Sequence, residues 1–211
     1  MKLLVLTDLH QKTNMVPWIN DLIDSENPDA VLCLGDITDL GTTEEAVSIL
    51  SSVHGKKYAL PGNCDTWDVP KAISSVATDM HGKSADILGH YVAGLGGGTV
   101  SPFNSPFELS ENEIDSILRP ISKKGMILMT HAPAFNTLDH IPNGTPVGSH
   151  AIRKIIDEFE PILAVSGHIH EDIGIKTIGK TVCVNPGPAM DGRAAVIDVN
   201  GSEVKARLIG P

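Results

Sequence analysis

The chain has 211 residues, and its 26 acidic side chains outnumber its 16 basic ones, for a formal charge of −10. Hydrophobic residues make up 41% and charged residues 20%, so disorder is excluded and a buried core is within reach. The acidic balance argues against a sequence-independent nucleic-acid coat or an anionic membrane surface, since both require basic patches.

No apolar run approaches the ~20 residues of a spanning helix. Leu3–Leu6 is too short for a secretory core segment and has no small-residue cleavage site. Cys33, Cys64 and Cys183 are an odd, scattered set, which fits a reducing cytoplasm better than a disulfide framework. The length favours one domain over residues 1–211.

In chain order, Lys2–Thr7 reads as a buried strand and Pro17–Ser25 as a helix, with Trp18, Ile19, Leu22 and Ile23 at helical spacing. Ala30–Leu34 is the next strand. Thr42 or Thr43 caps a helix whose acids Glu44 and Glu45 lie near its positive end. Lys57–Leu60 is a strand that stops at Pro61, and Tyr91–Leu95 is another, ending in a glycine-rich turn. Ser110 with Glu113 forms a capping-box pattern. Met126–Met129 is a strand, Ser149 caps a helix carrying Ile152, Ile155, Ile156 and Phe159, and Leu163–Val165 is a strand. Met80–Ile87 and Pro102–Phe107 read as loops. Beyond His170, Ile173–Ile178, Thr181–Val184, Ala194–Val199 and Glu203–Leu208 read as an antiparallel meander, with Asn200–Gly201 as a hairpin signal. The pattern predicts an α/β fold with a pair of mixed sheets flanked by helices.

Ligand-type side chains follow five of these strands. Asp8 and His10 come after the first, Asp36 after the second, Asn63 after the third, His131 after Met126–Thr130, and His168 and His170 after Leu163–Ser166. In α/β sheets ligands bind at the carboxyl ends of the strands. Each feature alone has an ordinary reading as a turn or a structural histidine. Together, five loops would deliver two carboxylates, an amide and four imidazoles to one edge. That donor set suits divalent transition metals, and the lack of a thiolate cluster argues against a structural zinc site.

The set Asp8-Leu9-His10, Gly35-Asp36, Gly62-Asn63-Cys64-Asp65, His131 and Gly167-His168-Ile169-His170 resembles the calcineurin-like metallophosphoesterase superfamily in order and spacing. Within it the chain is similar to small prokaryotic phosphoesterases, including those related to the Icc cyclic-nucleotide phosphodiesterase. The resemblance implies a four-layer α/β/β/α sandwich. It implies two divalent ions, Mn²⁺ first and Fe, Zn²⁺ or Ni²⁺ as alternatives. Asp8, His10 and His170 would hold one ion and Asn63, His131 and His168 the other, with Asp36 bridging. A hydroxide activated by both metals would attack phosphorus, with Asp36, His131 and His168 as the catalytic set.

One departure stands out. The residue after the motif asparagine is a histidine in protein phosphatases of the superfamily, and here it is Cys64. A thiol is a weak general acid, and the small relatives with Gly-Asn-Cys-Asp favour diesters, so the expected activity is that of a phosphodiesterase. Phosphomonoester hydrolysis and a catalytically weak metal-binding scaffold are the alternatives. His150, at a helix start, is a candidate substitute acid beside the phosphate, and Asp65 a candidate for orienting His10. The expected partner is a small phosphate ester, with no stable nucleic-acid partner and no membrane.

Overall fold

The computed structural model describes all of residues 1–211. Its strands and helices run β1 (Lys2–Leu6), α1 (Val16–Glu26), β2 (Ala30–Cys33), α2 (Thr43–Ser52), β3 (Lys57–Ala59), α3 (Val69–Ile73), β4 (Thr78–Asp79), β5 (Lys83–Ile87), β6 (His90–Leu95), β7 (Gly98–Thr99), β8 (Glu108–Leu109), α4 (Glu111–Leu118), β9 (Ile127–Thr130), α5 (His150–Phe159), β10 (Leu163–Val165), β11 (Gly174–Ile178), β12 (Thr181–Asn185), β13 (Ala194–Asn200) and β14 (Glu203–Ile209). One six-stranded sheet has the order β14-β13-β1-β2-β3-β4 and the other β11-β12-β10-β9-β6-β5. Each is parallel at its centre and carries antiparallel strands at an edge.

The strands are apolar on both faces because both faces are covered. In β1, Leu3 and Val5 point into the space between the sheets, where they meet Ile127, Met129, Leu163 and Val165. Leu4 and Leu6 point the other way, onto Ile19 and Ile23 of α1 and Ile49 and Leu50 of α2. On the far side, Leu128 packs with Ile114 and Leu118 of α4 and Ile152, Ile155 and Ile156 of α5. Period-two alternation in the strands and 3.6-residue periodicity in the helices thus stack four layers, α/β/β/α. No helix is long and apolar enough to cross a membrane.

The helix starts form as their sequences dictate. Thr42 Oγ1 accepts from the N–H of Glu45 at 3.2 Å, and Glu45 accepts from the N–H of Thr42 at 2.7 Å. Ser110 and Glu113 make the same reciprocal pair, and Ser149 Oγ accepts from the N–H of Ile152 at 3.1 Å.

Three expectations need correction, and the sequence pattern gave no sign of one helix. Met80–Ile87 is not all loop, because β5 lies within it and pairs antiparallel with β6. As an edge strand, β5 exposes Lys83, Ser84 and Asp86 and buries only Ile87, so it shows no apolar alternation. Its two-residue turn is Leu88–Gly89, both at positive φ (51° and 83°), where asparagine would have announced a hairpin. The tail is not one meander. It is two hairpins in different sheets, β11–β12 in one and β13–β14 in the other. Pro186 and Pro188 lack the N–H needed to continue a ladder, and the chain crosses between sheets there. The β13–β14 loop is Gly201–Ser202, one residue later than the Asn200–Gly201 signal. Helix α3 escaped notice because it is five residues long, too short to show periodicity. Pro102–Phe107 is a loop, as expected.

Leu88 is 66% exposed and holds a left-handed backbone that costs a leucine about 1 kcal/mol. Leu88→Asn should therefore stabilise the protein by roughly 0.5–1 kcal/mol, read as a higher urea midpoint at unchanged slope. An unchanged or lower midpoint would show that the leucine side chain contributes more than the turn costs.

Candidate metal centre

In one sheet β1, β2 and β3 are parallel, and in the other β9 and β10 are, so their carboxyl ends open along shared edges. Hydrogen bonds stitch the loops at those ends together. The N–H of Asp8 donates to Gly35 O at 3.0 Å and that of His10 to Asp36 O at 2.9 Å. The N–H of His168, from the other sheet, donates to Asp8 Oδ2 at 3.0 Å, and Thr7 Oγ1 donates to the same oxygen at 2.7 Å. The strap after β12 joins from above: the N–H of Ala189 donates to Thr7 O and that of Met190 to Asp8 O. The loops approach so closely that a side chain at Gly62 would fall on the Asp36 carboxylate, and one at Gly167 on Thr7 and Asp8.

All seven predicted ligands arrive at this edge, in two groups. Asp8, His10 and His170 offer donor atoms within 4.8 Å of one another, and so do Asp36, His131 and His168. Asp36 lies between the groups, with Oδ2 3.6 Å from His10 Nε2 and Oδ1 3.6 Å from His131 Nε2. Asn63 Oδ1 lies 2.9 Å from His131 Nε2. Asp8, Asp36 and His131 are buried. Asp8, His10, Asp36 and His168 all hold positive φ (54°, 45°, 46° and 69°), a conformation that costs a non-glycine residue on the order of 1 kcal/mol or more. Four such residues in one constellation mark a place where the chain is arranged for side-chain position rather than backbone comfort.

The donor set fits divalent cations on two observations. Asp8 Oδ1 is buried and has no hydrogen-bond partner, although His170 Nε2 lies 3.4 Å away. An orphaned carboxylate oxygen is expensive to bury. His131 Nδ1 donates to Leu34 O at 2.8 Å, which turns Nε2 toward the carbonyl oxygen of Asn63. The Asn63 amide group meanwhile donates to Ser105 Oγ at 3.0 Å. In the neutral His131 ring, Nε2 and the Asn63 oxygen both offer electron pairs, which a shared cation reconciles.

The charges agree with this. Burial pushes the Asp8 carboxyl up, but the His170 imidazole beside it and the charge of His131 outweigh it and hold the group well below the usual carboxylate range. Burial raises Asp36, and the neighbouring Asp8 and Asp65 add to the rise. Burial lowers His168 to about 3, with His131 reinforcing it, so its imidazole stays neutral and keeps a lone pair. His170 is raised, chiefly by the Asp8 carboxylate beside it.

The structure adds residues that sequence reasoning did not assign. Cys64 Sγ groups with His10 and Asp36. Burial first, then Asp36, pushes this thiol far up, so it carries its proton and is no nucleophile. The N–H of Cys64 donates to Asp36 Oδ1 at 2.8 Å and so orients the shared carboxylate. Ser105 fixes the Asn63 amide from 42 residues away, a distance at which no sequence signal could link them.

Two candidates fall outside the centre. His150 is exposed and stacked on Phe135 with ring centroids 3.9 Å apart. The helix end it was expected to offer a phosphate is already filled by Glu111, which accepts from Ser149 Oγ and from the N–H groups of His150 and Ala151. Asp65 does not touch His10. It is fully buried, with Oδ1 accepting from Thr38 N–H and Thr38 Oγ1, and Oδ2 from the N–H groups of Ile37 and Gly62. It ties the Asp36 loop to the Asn63 loop. A further cluster, Asp139, His140 and Asp172, lies outside the centre, and Asp139 is consumed by the N–H groups of Asn136, Thr137 and Gly148.

Because each Asp65 oxygen accepts from at least one backbone N–H, Asp65→Asn would aim its NH₂ at a backbone donor in either orientation. That substitution should cost about 3 kcal/mol of unfolding free energy, nearly as much as Asp65→Ala. Urea unfolding checks it, and a loss under about 1 kcal/mol would show that the clamp is dispensable.

Comparison with known proteins extends the picture. A model of the family described as calcineurin-like phosphoesterase matches residues 1–172. An uncharacterized protein of Methanocaldococcus jannaschii is 36% identical over 197 residues, covering 89% of this chain and 88% of that protein. The structure of TT1561 of Thermus thermophilus superposes with a TM-score of 0.77 at 16% identity, covering 98% of this chain and 97% of that one. A structure described as a novel archaeal phosphodiesterase superposes at 0.59 with 14% identity, covering 99% of both chains. These two share the fold. The family match spans the five loops that build the Asp/His constellation, and with it the chain belongs to the calcineurin-like phosphoesterases.

Proposed function

We propose that this protein is a metal-dependent phosphodiesterase. The observation that carries the reading is the pair of Asp/His clusters adjoining at Asp36, with the buried Asp8 Oδ1 left unpaired among imidazoles. In this reading Asp8, His10 and His170 hold one divalent ion, Asn63, His131 and His168 a second, and Asp36 contributes to both. Carboxylates, imidazoles and an amide suit Mn²⁺ first, with Fe, Zn²⁺ or Ni²⁺ as alternatives. Two such ions supply Lewis acidity to the phosphoryl oxygens and make hydroxide available near neutral pH for in-line attack on phosphorus.

The chain's own residues supply position. Leu34 O sets the His131 tautomer, Ser105 turns the Asn63 carbonyl inward, and the Cys64 N–H aims Asp36. The neutral state of His168 keeps its nitrogen free to bind.

Two features favour a diester. Two divalent ions against two carboxylates and a hydroxide leave the centre about one charge positive, which matches a diester monoanion better than a monoester dianion. No lysine or arginine lines the groove beside it to take up a second charge. Cys64, with its thiol pushed up, is also a poor acid for a basic leaving group. The archaeal structural neighbour described as a phosphodiesterase is consistent with this choice.

Hydrolysis of bis(p-nitrophenyl) phosphate should be Mn²⁺-dependent, chelator-sensitive and faster than that of p-nitrophenyl phosphate. Asp36→Asn should lower metal occupancy and turnover together, the latter about 100-fold or more. A monoester preference would overturn the substrate assignment. Full activity of Asp36→Asn without bound metal would overturn the role of Asp36. Bound metal with no turnover of either ester would leave a binding scaffold.

Saturating Mn²⁺ at about 100 times its dissociation constant should also stabilise the wild-type protein by roughly 2.7 kcal/mol, through its preference for the folded state. Asp36→Ala, which removes the carboxylate common to both ions, should abolish that shift in thermal unfolding. A full shift that persists in Asp36→Ala would place the metal elsewhere.

A further inference from the structure

A groove of about 610 Å³ opens directly beside the centre, and Asn63 and His168 line it. Its other wall is apolar and open to solvent: Val100 is 68% exposed, Phe103 86% and Val147 37%, with Ile141 and Pro142 beside them. An aromatic ring so exposed loses the stabilisation that burial would give it, which marks the surface as a contact site.

The wall is held in place. Glu108 accepts from Ser101 Oγ at 2.6 Å and from the N–H groups of Ser101 at 3.2 Å and Ser105 at 2.9 Å. Ser101 Oγ in turn accepts from the N–H of Phe103 at 3.2 Å. The same loop carries Ser105, which holds the Asn63 amide. One carboxylate therefore fixes the Ser101–Ser105 segment of the wall, which carries Phe103, and through Ser105 an amide of the centre. Glu108 also carries a negative charge: burial would raise its carboxyl, but the Ser101 and Ser105 bonds more than offset that and lower it. No lysine or arginine lines the groove to balance it.

Resting on the phosphodiesterase reading above, we infer that this groove receives one organic arm of the ester, and that the arm is uncharged and apolar or aromatic. An arm bearing a further phosphate or carboxylate would meet Glu108 with no cation to compensate. The groove thus selects esters of neutral, ring-bearing or hydrocarbon alcohols over polyanionic ones.

Binding of phosphonates to the Mn²⁺-loaded protein, measured by calorimetry, tests this apart from catalysis. Phenylphosphonate should bind at least about tenfold tighter than methylphosphonate, since the ring is removed from water. 4-Carboxyphenylphosphonate, the same ring with a charge, should lose most of that advantage. Phe103→Ser with Val100→Ser should bring the phenyl-to-methyl ratio close to one. Equal affinities of the phenyl and methyl compounds, equal affinities of the phenyl and carboxyphenyl compounds, or a preference that survives both substitutions would each overturn the inference. Ester hydrolysis without a phenyl preference would leave the phosphodiesterase reading standing and remove this one. A phenyl preference in a protein that hydrolyses no ester would keep the groove and remove the reaction.

Discussion

The structure turns on the buried carboxylate of Asp8. One of its oxygens accepts from Thr7 beside it and from His168 of the opposite sheet, and its backbone bonds to Gly35 and Met190. The other oxygen has no partner. A single residue thus ties β1 to the β2 loop and the strap through its backbone and to the β10 loop through its side chain, and still leaves one acceptor free. Burying a charge this way is unfavourable unless something positive completes it. The nearby imidazoles complete it in part, and the divalent ions proposed here would complete it in full.

That constraint accounts for the local backbone. Loops that bring seven candidate ligands to one point cannot all relax into common conformations, and four of those seven residues sit at positive φ. The cost is offset by bonds that over-determine the loops, with Asp65 spanning two of them through four accepted hydrogen bonds. Rigid positioning follows, which a centre relying on metal geometry requires. The groove beside it obeys the same economy of fixed loops, since Glu108 holds both its wall and, through Ser105, the Asn63 amide.

Parts of this were legible because their causes are local. Thr42 with Glu45 and Ser110 with Glu113 specify helix starts within four residues. The apolar runs of β1, β2, β9 and β10 specify doubly buried strands, and the ligand-type residues stand directly after them. Other parts were hidden for equally physical reasons. The edge strand β5 carries almost no apolar signal, because one side of it faces water. His150 looked like an anion site because its helix end is free in the sequence, whereas in three dimensions Glu111 fills it. Asp65 looked like a partner for His10 because both belong to the same motif set, whereas packing points it at backbone N–H groups.

The amino-acid sequence by itself determined the strand and helix periodicity, the helix caps and the order of the seven candidate ligand residues along the chain, since each depends on near neighbours or on residue chemistry alone. Only the tertiary structure decided which sheet each tail hairpin joins, which histidine tautomer His131 adopts, and that Ser105, Cys64 and Glu108 shape the centre and its groove. Those outcomes depend on contacts between residues that the folded chain alone brings within hydrogen-bonding distance, and no pattern along the sequence records them.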